Sequence, residues 1–90
     1  EFNRVLLISL NKDIKSINLA NKLRIQKIPT EIFYGKPGKA LDYANSQKFN
    51  YVIFIGDEEI KKGKYKCKDM TTGKEKLLIE KDIIKLLKID

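Results

Sequence analysis

The sequence predicts a single α/β domain, and three observations carry that prediction. Three short runs, "VLLISL", "TEIFY" and "YVIFI", alternate with stretches whose apolar residues recur at helical spacing, the pattern of parallel strands joined by right-handed crossovers. After the third run the alternation stops, and two short strands flank "MTTG" as a hairpin. No repeat, linker or low-complexity stretch interrupts the 90 residues, a length that supports one core and not two, so residues 1–90 read as one domain.

Taken in order, "RVLLISL" (4–10) is a strand apolar enough to be buried on both faces. It runs into "NKD", where Asn11 is placed to cap a helix and Asp13 falls in the first turn, favourable to the helix dipole. Lys15, Asn18, Lys22 and Gln26 then form a polar stripe, with Ile17, Ala20 and Leu23 on the other side, giving an amphipathic helix of about four turns. Pro29 is the expected stop, since the residue before a proline is pushed out of helical geometry. "TEIFY" (30–34) is the second strand, and "GKPGK" feeds a helix whose inner face carries Leu41 and Ala44. "YVIFI" (51–55) is the third, followed by Gly56 and the acidic turn "DEEI". Residues 64–69 and 74–79 are the hairpin strands, with Gly73 able to take positive φ in the turn. "EKDIIKLLKI" closes the chain as a helix with Ile83, Ile84 and Leu87 on its apolar side.

Charge is unevenly spread. The chain has 19 Lys and Arg against 12 Asp and Glu, a net +7. Residues 61–76 alone hold seven lysines and two carboxylates, so most of the excess is a local surface feature. Absence removes other chemistries. With no histidine, a Ser-His-Asp triad, a Cys-His pair and histidine-ligated zinc are impossible within these residues. Cys67 is alone, which excludes an internal disulfide and a CxxC site and suits a reducing compartment. No apolar run approaches the roughly 20 residues of a membrane span, and nothing resembles a signal peptide; the expected setting is cytoplasmic, with no membrane partner. The first residue is not methionine, so the chain reads as a fragment of a larger protein, with Glu1-Phe2 compatible with a cloning remnant.

Three stretches are candidates for function. In "GKYKCKD", Lys64, Lys66 and Lys68 share one face of a strand and Tyr65 and Cys67 the other. Lysines on a sheet edge protect it from pairing with other chains. Spaced ammonium groups with Lys61, Lys62, Lys74 and Lys76 nearby exceed that need and point to a nucleic-acid backbone, from which they displace counterions. "YGKPGKA" lies between a strand and a helix but fails the phosphate-loop pattern, with two residues between Gly35 and Gly38 and Ala40 where the Mg²⁺-binding hydroxyl belongs. Its helix start, with Lys36 and Lys39, can still meet a phosphate or base; a Pro-started helix with solvated lysines is the plain reading. "GDEE" places three carboxylates at a helix start, where they satisfy free amides and the dipole. Beside a basic ridge, Glu59 can also accept a hydrogen bond from a base, and its pairing with Lys68 is where specificity is expected. No second ligand cluster supports a metal there.

Read together, "VLLISL", "LANKLRIQKIPTEIFY" and "LDYANSQKFNYVIFIGDEEIKKGKYKCKDMTTGKE" resemble the C-terminal anticodon-binding domain shared by class II aminoacyl-tRNA synthetases for histidine, threonine, proline and glycine. "KDMTTG" is similar to the histidyl branch in particular, whereas "GDEE" is nearer the threonyl and prolyl style. The resemblance covers almost the whole chain. It implies a three-layer α/β/α fold around a five-stranded mixed sheet of order 2-1-3-4-5, with strand 4 antiparallel to the rest. It also implies an anticodon loop bound near the strand 2 loop, the acidic turn and strand 4. By position, Glu59 falls where threonyl members use a glutamate to read a base and Lys68 where they use an arginine, while Tyr34 to Lys39 match a loop that touches the bases. Lysine for arginine turns a forked contact into a point charge. Many relatives carry glycine at the position of Lys27, so the first helix must end here without one.

The implied function is tRNA anticodon recognition, with RNA-binding residues Tyr34, Lys36, Lys39, Glu59, Lys64, Lys66 and Lys68, and with Tyr51 an aromatic candidate better explained as structural. These residues would catalyse nothing and hold no cofactor or metal. Aminoacylation would fall to a separate catalytic domain of the parent synthetase, using ATP and Mg²⁺ in a homodimer. Histidyl-tRNA synthetase is the expected parent, with a threonyl or prolyl parent as the alternative, and two rivals stand beside this: a synthetase-like regulatory or accessory protein binding other RNA or protein, and a flavodoxin-like small-molecule domain. The latter would need a phosphate cradle that the "ISLNKD" and "IGDEE" turns lack.

Overall fold

The computed structural model describes residues 3–88; Glu1, Phe2, Ile89 and Asp90, and with them the question of a cloning remnant and the last residue of the predicted final helix, lie outside that range. The elements run β1 (Val5–Ser9), α1 (Asp13–Ile25), β2 (Thr30–Tyr34), α2 (Pro37–Ser46), β3 (Tyr51–Ile55), α3 (Asp57–Lys62), β4 (Tyr65–Asp69), β5 (Glu75–Leu78) and α4 (Glu80–Leu87). The strands form one sheet of order β2-β1-β3-β4-β5. β1 pairs in parallel with β2 and β3, and β4 runs antiparallel to both β3 and β5, which is the order and polarity that the resemblance implies.

Period-two alternation sorts the sheet into two unequal faces. On one, Val5, Leu7, Ile53, Ile55 and Cys67 are buried against Leu19, Ala20 and Leu23 of α1 and Ile83 and Leu87 of α4. On the other, Leu6, Ile8 and Val52 pack on Ala40 and Ala44 of α2 and on Phe49. Burying one such large aliphatic side chain is worth roughly 1.5–3 kcal/mol, so β1, wholly buried on both faces, anchors the fold. The first face is covered along its length; the second has a helix only over the β2–β1–β3 side.

Local structure departs from the sequence expectation at α1. Asn11 does not cap it but sits at φ 62 in the connecting turn. Lys12 is the N-cap and no side chain caps the helix; Ser9 braces the turn, its Oγ accepting from the Lys12 amide at 3.3 Å and donating to Asp13 at 2.8 Å. The inner face is Ser16, Leu19, Ala20 and Leu23, while Ile17, expected inside, is 42% exposed. Apolar residues lie on both sides of this helix, leucines inside and Ile14, Ile17 and Ile25 outside, so the polar stripe alone could not fix its rotation.

Pro29 does not end the helix directly. Two residues earlier, Lys27 takes φ 65, its amide bonds the Arg24 carbonyl at 2.9 Å, and the Ile28 amide bonds that of Leu23 at 3.1 Å. That is a Schellman cap with lysine at the position glycine usually fills. α2 ends in the same way, with Lys48 at φ 58 and the Phe49 amide on the Ala44 carbonyl at 2.9 Å. The hairpin turn follows expectation: Asp69 accepts from the amides of Thr71 and Thr72, and Gly73 takes φ 78.

Candidate nucleic-acid interface

The register of the last three strands builds the site. Val52 and Phe54 of β3 lie opposite Lys68 and Lys66 of β4, which in turn lie opposite Glu75 and Leu77 of β5. These six residues share the face that α2 covers only on its far side. Lys66 and Lys68 are therefore on one face, as expected, with the buried Cys67 and half-buried Tyr65 on the other. Lys66 reaches across Phe54, its Nζ 5.5 Å from the ring centroid, and pairs diagonally with Glu75 at 3.4 Å. Its aliphatic stem shields the ring while the ammonium stays in reach of solvent.

Lys64 lies just before β4, outside the strand. Its amide donates to the Glu59 carbonyl at 3.2 Å as α3 ends through Gly63 at φ 68. It meets Lys66 in an open groove of about 350 Å³, walled by Glu58, Glu59 and Lys62 of α3 on one side and Glu75 and Leu77 of β5 on the other. The groove therefore carries both signs of charge and an apolar floor, with Leu77 55% exposed. Lys68 lies one pleat further toward the hairpin turn, beside Val52 and Glu75 and outside that lining. The expected Glu59–Lys68 pairing is thus corrected: the register brings Lys66, together with Lys64, to Glu59, because α3 packs at the start of β4 and not along it. Gly56 holds Glu59 close, since a Cβ there would lie 2.8 Å from Oε1.

Tyr34 ends β2 with 54% of its surface exposed, and by register it points to the α1 side, opposite Lys66 and Lys68. Lys36 precedes the first residue of α2, Pro37, and Lys39 falls in its first turn; both are exposed. All three sit at the same end of the sheet as α3 and the start of β4, because β1 to β3 are parallel and β4 returns. Three strand spacings separate β2 from β4, about 14 Å. Tyr51 is half-buried against the α1-side core, as its structural reading requires.

The chemistry of the site is ionic. Burial, and to a lesser degree Asp69, push the Cys67 thiol up to about 11, so it carries no thiolate at neutral pH. Asp57, the first of the acidic run, is held by Lys12 at 2.6 Å. Among the described residues no group of three or more His, Cys, Asp or Glu side chains converges to hold a metal ion. Phe54, Glu75 and Leu77 were missed in the sequence. Counting register outward from the Asp69–Gly73 turn, which sets Lys68 against Glu75 and Lys66 against Leu77, would have found the last two.

Fold and site together define a class: a small three-layer α/β module whose sheet is closed on one face and half-open, lysine-bearing, on the other. The family model described as the anticodon binding domain matches residues 4–89, and the chain belongs to that family. It is 43% identical over 84 residues to histidine–tRNA ligase of Methanocaldococcus jannaschii, an alignment covering 87% of this chain and 20% of that protein. To histidine–tRNA ligase of Clostridium tetani it is 40% identical over 75 residues, 81% of this chain and 17% of that one. The chain thus spans about a fifth of the length of these curated relatives. Its backbone superposes on the RNA-binding domain of threonyl-tRNA synthetase from Cryptosporidium parvum Iowa II with a TM-score of 0.86 at 17% identity, covering 94% of this chain and 22% of that one. The fold is therefore shared across amino-acid specificities, while sequence identity points to the histidyl branch.

Proposed function

We propose that this domain selects tRNA for a histidyl-tRNA synthetase by holding the single-stranded anticodon loop against the half-open sheet face. The observation that carries the reading is the register placing Lys66 and Lys68 beside Phe54 and Leu77 on the part of the face that α2 leaves open. Unpaired bases can be splayed and read in a way that a duplex does not allow. Lys64, Lys66 and Lys68 meet phosphates, and Glu59 accepts from a base edge. Lys36 and Lys39 engage the loop from the β2 end, about 14 Å away, a span of about four stacked nucleotides, and Tyr34, which points to the α1 side, meets only a nucleotide that passes round that end of the sheet. The amino-acid chemistry belongs to a catalytic domain outside these residues, working with ATP and Mg²⁺ in a cytoplasmic homodimer. Tethering to it raises the local concentration of the second contact, so the isolated domain need bind only weakly.

The test titrates the 90-residue chain against an anticodon stem-loop carrying GUG, the same hairpin with a threonine anticodon, and one with a scrambled loop, across salt concentrations. Preference for GUG, with a log–log salt slope of about −3 for roughly four single-strand phosphate contacts, is expected. Preference for the threonine loop would reassign the parent enzyme. Equal or absent binding of all three would overturn anticodon reading and leave the lysines as edge protection.

A further inference from the structure

Two lysines end helices in the same left-handed geometry, and only one of them borders a cleft. Lys27 closes α1 at φ 65 and Lys48 closes α2 at φ 58, each where glycine is usual. A positive side chain suits any helix C-terminus, which accounts for Lys27. Lys48 has more around it. With Asn45, Asn50 and Thr71 it borders an open cleft of about 270 Å³ whose apolar lining, Ala44, Phe49 and Met70, belongs to the α2-side core. The cleft therefore lies on the half-open face, at the hairpin end of β4, with the lysine groove at the other end.

The two hollows differ in chemistry. Glu58, Glu59 and Glu75 wall the groove, so a phosphate entering it meets three carboxylates. None of the residues lining the cleft is acidic. Asp69, beside Met70 in the chain, lies on the other face by alternation, and its Oδ1 accepts from the Thr71 and Thr72 amides. Asp42, about one turn back along α2, is outside the lining. What the cleft offers is donors. Among the described residues Lys48 forms no ion pair. The Oδ1 of Asn50 accepts from the Arg4 amide at 2.7 Å, so its NH2 is the group left to donate. Asn45 and Thr71 add an exposed amide and an exposed hydroxyl. One ammonium among neutral donors suits phosphate and sugar oxygens, which carry no sequence information.

We infer that this cleft holds the phosphate backbone of the anticodon stem where it leaves the loop. The inference rests on the anticodon reading above and adds to it a second contact that is blind to sequence. Met70 lies four residues beyond Lys66 on the line of β4, about 14 Å, or about four stacked nucleotides of one strand. The anticodon triplet occupies the centre of a short hairpin loop. A strand of that length, followed from a base in the groove past Lys68, therefore leaves the loop and enters the first pairs of the stem. Paired RNA is held mostly through its phosphates and 2′-hydroxyls, and this donor set fits both.

The matched lysines supply the test. Lys48→Gly and Lys27→Gly make the same change at the same kind of helix end, and glycine suits both backbones, so both variants fold and thermal melts check it. Each 90-residue variant is titrated against the GUG, threonine-anticodon and scrambled hairpins, and against GUG hairpins in which single phosphates are replaced by uncharged methylphosphonates. Lys48→Gly should weaken all three loops alike, about fivefold, and make the salt slope shallower by about 0.7–0.9, the share of one phosphate, while Lys27→Gly changes neither. A methylphosphonate at the junction of loop and stem should weaken the unsubstituted chain by a similar factor and Lys48→Gly no further, because the two changes remove the same contact. Unchanged binding by Lys48→Gly would overturn the inference, as would coupling of Lys48 to a phosphate inside the triplet. Equal losses for the two lysine variants would also overturn it, since net charge would then account for both. In each of these cases a preference of the unsubstituted chain for GUG leaves the anticodon reading standing; if that chain binds no hairpin, the reading and the inference fall together.

Discussion

β4 presents two faces made by the same five residues. Toward α1 and α4 it turns Tyr65 and Cys67 into a continuous core closed by Ile83 and Leu87. Toward α2 it turns Lys66 and Lys68 onto a surface where the nearest apolar neighbours, Phe54 and Leu77, are half-buried and exposed. The difference teaches how a small domain keeps a sheet face open. All cover for β4 and β5 comes from one side, through α4, and the other side is kept soluble by lysine stems laid over the little apolar surface that remains.

The largest expected effect contrasts those two covers. Leu87→Ala opens a cavity under β4 and should cost about 3 kcal/mol, read by urea unfolding. Leu77→Ala removes a side chain of the same type from the open face and should change stability by less than about 0.5 kcal/mol. Similar losses for the two would break the contrast and mean that the open face is covered in solution.

Cys67 gives a smaller effect with a defined pH window. Its folded pKa of about 11 stands above the thiol's ordinary value of 9.0, so the folded chain holds the proton more tightly than the unfolded chain does. That contribution is fully present below about pH 9 and is lost as pH rises toward 11, a fall of roughly 2 kcal/mol. Tyr51 and Tyr65, both raised chiefly by burial, add the same sign at higher pH, so the thiol's part is the difference between the native chain and Cys67→Ala. An unchanged slope between pH 9 and 11 in Cys67→Ala would mean that the closed face admits water at this position.

These contrasts were partly legible in the sequence. The buried strands announced themselves because each short run is bounded by polar residues, and the hairpin because Gly73 closes a turn that Asp69 nucleates. The placement of Lys66 and Lys68 on one face followed from strand periodicity alone. The groove did not, since its far wall belongs to β5 and its end to α3, and only pairing register brings Glu75, Leu77 and Glu59 to Lys66. The rotation of α1 was misread at Ile17 for a related reason. With leucines on one side and isoleucines on the other, the choice of inner face is made by packing against β1 and β2, which no local pattern contains.

The smallest effects separate charge position from charge count. Lys66→Ala removes one positive charge from the open face; it should weaken binding of every RNA loop about fivefold and make the salt slope shallower by about 0.7. Glu59→Ala should instead mainly narrow the gap between cognate and other loops, because a lost base contact is sequence-dependent where a lost phosphate contact is not. Lys27→Gly also removes one positive charge, but from the end of α1. There lysine is held at φ 65, and glycine relieves a left-handed strain of about 1 kcal/mol, partly offset by the entropy glycine gains when unfolded. A gain of about 0.5 kcal/mol in stability, with loop affinity unchanged, is therefore expected. If Lys27→Gly weakens binding as much as Lys66→Ala does, the domain attracts RNA through its net +7 alone, and the open face has no special part in it. If only Lys66→Ala does, the register of β4 against β3 and β5 is what turns a basic chain into a binding surface.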